Sequence, residues 1–146
     1  MVVNTSLMLK NQVKGNLDRG LLEQNQFSPH YERCKLYDLV DEVVDMMRGQ
    51  AEQLKINLRV ERKAEKSCIK IDKLRTHQIL INLLQNALKF SFPQSQITIL
   101  VEMEPTEEVN KKMLSLKVKD NGIGIKDEDR LNLFKPFFKS TDPVSQ

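Results

Sequence analysis

The sequence predicts an α+β fold, a two-layer sandwich with helices packed on one face of a sheet. A 3.6-residue apolar period near residues 36–54 and a long apolar-rich stretch from Asp72 to about Phe90 supply the helices. Stretches of alternation near 56–61, 96–104 and 114–118 supply the strands. Each alternating stretch has one apolar face, so helices should cover one side of the sheet and water the other. At 146 residues the chain has room for one domain and an appended helix. A chain of this length buries enough surface for a real core.

The elements follow in order. Leu9, Val13, Leu17 and Leu21 recur at spacing four, which reads as an amphipathic helix over 4–24. Gly15 and Gly20 weaken it by about 1 kcal/mol each relative to Ala. An extended piece over 27–36 follows, where Pro29 biases Ser28 toward extension. Leu36, Leu39, Val40, Val43, Val44, Met47, Ala51 and Leu54 then mark one face of a helix. Ile56, Leu58 and Val60 oppose Asn57, Arg59 and Glu61, the pattern of a half-buried strand. Residues 62–66 form a charged turn and 68–71 a second short strand. Asp72 is placed to cap a helix running to about Phe90. Ile97, Ile99, Val101 and Met103 line one strand face, and Leu114, Leu116 and Val118 another. With the polar connection 105–112 between them, these two strands read as an antiparallel hairpin. Asp120 to Ile125 breaks the alternation. A short helix over 127–134 and a Phe-rich tail follow.

Composition narrows the function. With 23 basic and 20 acidic residues the net charge is +3, too small to argue for nucleic acid. There is no Trp, and no basic run carries interleaved aromatics, so a base-stacking platform is not expected. His30 and His77 are far apart and neither sits in a zinc motif. Cys34 and Cys68 suit a reducing compartment with free thiols. No apolar run approaches the ~20 residues of a membrane span, and 1–10 lacks a signal-peptide core. A cytoplasmic location is expected, with membrane attachment left open for a larger parent protein.

Three clusters could carry chemistry. Around the helix that Asp72 caps, Ile79, Leu80, Ile81, Leu83, Leu84, Ala87 and Leu88 cover most of the circumference, which predicts a helix buried on most sides. Gln78, Asn82, Asn86 and Lys89 nevertheless share one stripe. Buried carboxamides need partners, since an unpaired one costs about 1–3 kcal/mol. A bound phosphate and its metal would supply them, with Asn oxygen as a hard ligand for Mg²⁺ and Lys as a point charge for phosphate. The plain alternative is a stripe that faces water. The second cluster is Asp120-Asn121-Gly122-Ile123-Gly124-Ile125, at a strand end. Its carboxylate could accept a hydrogen bond from an exocyclic amine, and its glycines would let backbone approach a flat ligand. The alternative is a tight turn, where Asn-Gly is common. The third, Leu133-Phe134-Lys135-Pro136-Phe137-Phe138, reads alone as core.

The order and spacing of the three resemble the ATP-binding domain of histidine kinases, in the superfamily shared with gyrase B, the heat-shock chaperone and MutL. Residues 80–91, Leu-Ile-Asn-Leu-Leu-Gln-Asn-Ala-Leu-Lys-Phe-Ser, resemble the N box. Residues 118–125 resemble the G1 box and 133–138 the F box. The resemblance covers about residues 35–140. It implies a Bergerat-type ATP-binding fold with a mixed sheet and helices on one face. By this resemblance residues 27–146 form the ATP-binding domain, and 1–26 the end of a dimerisation-type helix and linker. Roles follow by the same resemblance. Asn86 would ligate Mg²⁺ on the ATP phosphates, Asn82 would support that ion or its water, and Lys89 would contact phosphate. Asp120 would bind the adenine amine, Gly122 and Gly124 would shape the pocket, Ile125 would lie against the base, and Phe138 would begin the lid. Hydrolytic cousins have a Glu where Asn82 stands, and an amide cannot act as that base. The site therefore resembles a kinase site.

The family's phosphoacceptor motif is not in the sequence, so no catalytic histidine is expected in cis. The sequence stops before a glycine-rich G2 box, so the domain is expected to be C-terminally incomplete, as in a fragment of a larger sensor kinase. The expected function is the catalytic part of a protein-histidine kinase, a transferase of two-component phosphorelay signal transduction. Implied partners are ATP, a phosphoacceptor-histidine dimerisation segment, a response-regulator receiver domain and, through the first helix, a second copy. The alternative is a non-catalytic interaction or dimerisation module.

Overall fold

The computed structural model describes residues 28–64, 68–108, 112–133 and 135. The expected helix over 4–24, Phe134, and the tail from Pro136 onward, Phe138 included, lie outside them. The described elements are β1 (Glu32–Lys35), α1 (Leu36–Gln53), β2 (Asn57–Arg62), β3 (Cys68–Ile71), α2 (Lys73–Phe90), β4 (Gln96–Pro105), β5 (Lys112–Lys119) and the single turn α3 (Asp127–Arg130). The last helix is shorter than the sequence suggested. Among the described residues no helix is long and apolar enough to cross a membrane.

The α+β class and the mixed sheet are as expected. In the three-stranded sheet β2-β4-β5, β2 runs parallel to β4 and β5 antiparallel to it. Register turns the alternation into apolar rungs. Leu58 pairs with Ile97, Ile99 lies between Val60 and Val118, Val101 pairs with Leu116, and Met103 with Leu114. Ile97, Ile99 and Val101 are fully buried against the helices. On the opposite face, Lys117 Nζ lies 2.7 Å and Lys63 Nζ 3.3 Å from the Glu102 carboxylate. These two ammonium groups hold the Glu102 carboxyl below its ordinary value.

Helix α1 buries Leu36, Leu39, Val40, Val43, Val44, Met47 and Ala51 as read from the sequence, whereas Leu54, counted on the same face, lies past the helix end and is exposed. The helix stops at a left-handed Lys55, φ 57°. The Ile56 amide there donates to Ala51 O at 2.8 Å and the Lys55 amide to Glu52 O at 3.0 Å. The Tyr37 hydroxyl donates to Ala64 O, and Arg62 pairs with Asp41 while stacking over the Tyr37 ring. These contacts hold the segment after β2 against α1.

Strands β1 and β3 form a separate antiparallel ribbon, with Cys34 opposite Ile69 and Lys35 opposite Cys68. This register puts Cys34 and Cys68 on opposite faces of the ribbon, and both thiols are free. Cys34 packs toward the core, and burial raises its thiol pKa.

Candidate functional site

Helix α2 begins where the sequence placed it. Asp72 has extended backbone, and its Oδ1 accepts a hydrogen bond from the Arg75 amide at 3.0 Å. Thr76, Leu80, Ile81, Leu84, Ala87 and Leu88 are buried. One expectation is corrected here. Ile79 is 57% and Leu83 40% exposed, so α2 is buried along one stripe and open along the rest. Its neighbours are one sheet and α1, which cover one side; apolar residues on the far side meet no second layer among the described residues. Asn82, Asn86 and Lys89 are exposed on that open side, and Gln78 is half-buried. The Asn82 and Asn86 amides are solvated, so desolvation does not oblige them to find a ligand, and the Gln78 side-chain oxygen accepts from Arg75 Nη1 at 3.4 Å. They remain a row of oxygen donors ending in an ammonium, spaced about a helical turn apart.

The turn after β5 meets the C-terminal end of this helix. Ser91 and Gly122 form an antiparallel bridge, and the Ile123 amide donates to Phe90 O at 3.2 Å. A Cβ on Gly122 would stand 2.3 Å from Phe90 O and 2.8 Å from the Phe90 carbonyl carbon. Only glycine permits this approach. Asp120 Oδ1 accepts from the Gly122 amide at 2.9 Å, which folds the turn back on its own carboxylate. Gly124 is needed for a different reason, its φ of +73°. Ile123 and Ile125 are exposed. Lys89 Nζ lies 4.8 Å from the centre of the Phe90 ring.

The structure thus brings Lys89, Gly122 and Asp120 to one end of α2. Asn86 lies one turn and Asn82 two turns back along it. Gly124 and Ile125 continue from the same turn. Phe138 is outside the described residues. What the sequence did not reveal is the clamp itself, the Phe90 and Ser91 backbone on Gly122. It joins residues some thirty positions apart, and backbone atoms leave no composition signal. Among the described residues no three His, Cys, Asp or Glu side chains converge as a metal cage. The two carboxamides fit Mg²⁺, which keeps several waters and is held mainly by phosphate oxygens.

His77 belongs to a second cluster, between α1 and α2. Its Nε2 lies 3.2 Å from Glu42 Oε2 without a hydrogen bond. Lys73 Nζ donates to the other Glu42 oxygen at 3.0 Å, which raises the lysine pKa. Burial lowers the imidazole pKa; Glu42 opposes that shift and Lys73 adds to it.

Comparison with known proteins falls on the same segment. Residues 71–146 match the family described as histidine kinase-, DNA gyrase B-, and HSP90-like ATPase. The chain is 33% identical over 131 residues to the autoinducer 2 sensor kinase/phosphatase LuxQ of Vibrio cholerae, covering 89% of this chain and 15% of that protein. It is 32% identical over 143 residues to hybrid signal transduction histidine kinase K of Dictyostelium discoideum, covering 93% of this chain and 12% of that one. The chain therefore spans only a small part of the curated relatives it matches. Among solved structures, histidine kinase AdeS of Acinetobacter baumannii superposes with a TM-score of 0.70 at 27% identity, covering 92% of this chain and 62% of that one. The catalytic domain of histidine kinase ThkA superposes with a TM-score of 0.63 at 28% identity, covering 75% and 70%.

Proposed function

The chain belongs to the histidine kinase-, DNA gyrase B- and HSP90-like ATPase family, as the ATP-binding part of a histidine kinase, and from that premise we propose that it presents MgATP for transfer of the γ-phosphoryl group to a histidine on another segment or chain. The observation that carries this reading is the Ser91–Gly122 bridge. It supports a single site with a phosphate end on α2 and a base end on the Asp120 turn.

In this reading Asn86 and Asn82 offer carboxamide oxygens to Mg²⁺ or its waters, and Lys89 leaves the Phe90 ring to meet a phosphate. The bound Mg²⁺ supplies neutralisation of phosphate charge. Asp120 accepts a hydrogen bond from the adenine amine, with its Oδ1 already oriented by the Gly122 amide. Gly122 and Gly124 put no side chain between their backbone and the base, Ile125 packs on the base, and Phe138 begins the lid segment. No carboxylate stands at position 82 to activate water, so the arrangement favours holding ATP over hydrolysing it. The phosphoryl acceptor is a dimerisation-segment histidine, and the onward partner a response-regulator receiver.

Adenine recognition is the sharpest test. GTP carries a carbonyl where ATP carries the amine, and a carboxylate repels it. The chain is expected to bind MgATP at least about tenfold more tightly than MgGTP, with Asp120→Asn erasing most of that preference. Equal binding of the two nucleotides by the unmodified chain would contradict the assignment.

A further inference from the structure

The carboxylate that caps α2 has a second partner. While Asp72 Oδ1 holds the Arg75 amide, its Oδ2 accepts from the backbone amide of His30 at 2.8 Å. His30 lies just ahead of β1, whose pairing with β3 begins at Glu32 opposite Ile71. Since β3 ends at Ile71 and α2 begins at Lys73, Asp72 is the single residue between ribbon and helix. Its backbone oxygen also accepts from the Thr76 amide at 2.9 Å and the Thr76 hydroxyl at 2.8 Å. The chain entering the domain is therefore fastened to the first turn of α2. Asn82 and Asn86 lie farther along the same unbroken helix, about 15 and 21 Å from the joint at 1.5 Å per residue. Asp, Asn and Ser cap helices about equally well. Of the three, only the carboxylate presents an acceptor oxygen to each of two donors.

We infer that Asp72 is a coupling joint, through which the position of the chain entering at residues 28–31 and the occupancy of the nucleotide site on α2 influence each other. This inference rests on the nucleotide reading above. Coupling between sites is reciprocal, so nucleotide binding must be felt at the entering chain. Asp72→Asn leaves one acceptor oxygen for two donors. His30→Pro removes the donor and leaves the cap intact.

The test is amide hydrogen exchange on the full 146-residue chain, with and without saturating MgATP, after a binding isotherm for each variant. In the unmodified chain, nucleotide should slow exchange at Tyr31, Glu32 and Arg33 by about threefold or more. Both variants should bind MgATP within about twofold of the unmodified chain and lose that slowing. Binding without slowing in the unmodified chain, or equal slowing in both variants, would overturn the joint alone. An isotherm showing no MgATP binding by the unmodified chain would overturn the joint and the nucleotide site together.

Discussion

Gly122 and Gly124 stand two positions apart and are required for different reasons. At Gly122 a methyl group would meet a backbone oxygen and carbon that cannot rotate away. At Gly124 there is open space, and the demand is the positive φ. Gly122→Ala should therefore cost several kcal/mol, about 2–4, and detach the turn from α2, while Gly124→Ala should cost only about 1–2 kcal/mol of backbone strain. Thermal melts of the two variants, with exchange at the Ile123 amide, check the order; a milder effect at Gly122 would refute the clamp. His77 gives a pH prediction. Burial dominates and lowers its folded pKa, so the unfolded chain binds the proton more readily. The sign is fixed by that difference: the stability His77 contributes is full above its unfolded value near 6.5 and is lost as pH falls through the folded value. The melting temperature should fall from pH 7.5 to 5.5, and less steeply in His77→Gln; equal slopes would count against a buried neutral imidazole. Residue identity suggested Asp120, Asn86 and Lys89 as site residues. It was silent on the Phe90 backbone contact, because Asn-Gly reads alike in any turn.

Helices and strands were the most legible scale. Asp72 starts α2 because its carboxylate can satisfy an amide the helix leaves free, and β4 and β5 are one hairpin whose alternation names the inner face. The parallel pairing of β2 with β4 and the separate β1–β3 ribbon were not legible in alternation, which gives each strand a face without a partner. The end of α1 was legible from where its apolar period stops, although a lysine, not glycine, takes the left-handed position just after it. The misjudged element is the outer face of α2. Apolar residues at Ile79 and Leu83 suggested burial, and the two layers around the helix leave that side open. Leu80→Ala and Leu84→Ala should each destabilise by about 2–5 kcal/mol, whereas Ile79→Ser and Leu83→Ser should stay within about 0.5 kcal/mol. Denaturant unfolding of the four variants checks this, and a large loss at Ile79 or Leu83 would place a covering layer on that face.

At the scale of the described molecule, the β2-β4-β5 sheet, helices α1 and α2 and the flanking β1–β3 ribbon make a core whose open side carries the Asn82–Asn86–Lys89 row, and β5 delivers the Asp120 turn to the end of that row. The central claim is that these two pieces act as one MgATP site. Calorimetric titration of the chain with ATP, with and without Mg²⁺, tests it most directly. The unmodified chain should bind ATP in the presence of Mg²⁺ and lose most of the affinity when the ion is withheld. Asn86→Ala and Asp120→Asn should each weaken binding about tenfold or more, a loss of about 1.4 kcal/mol or greater. Binding that is indifferent to Mg²⁺ and unchanged in both variants would contradict the account.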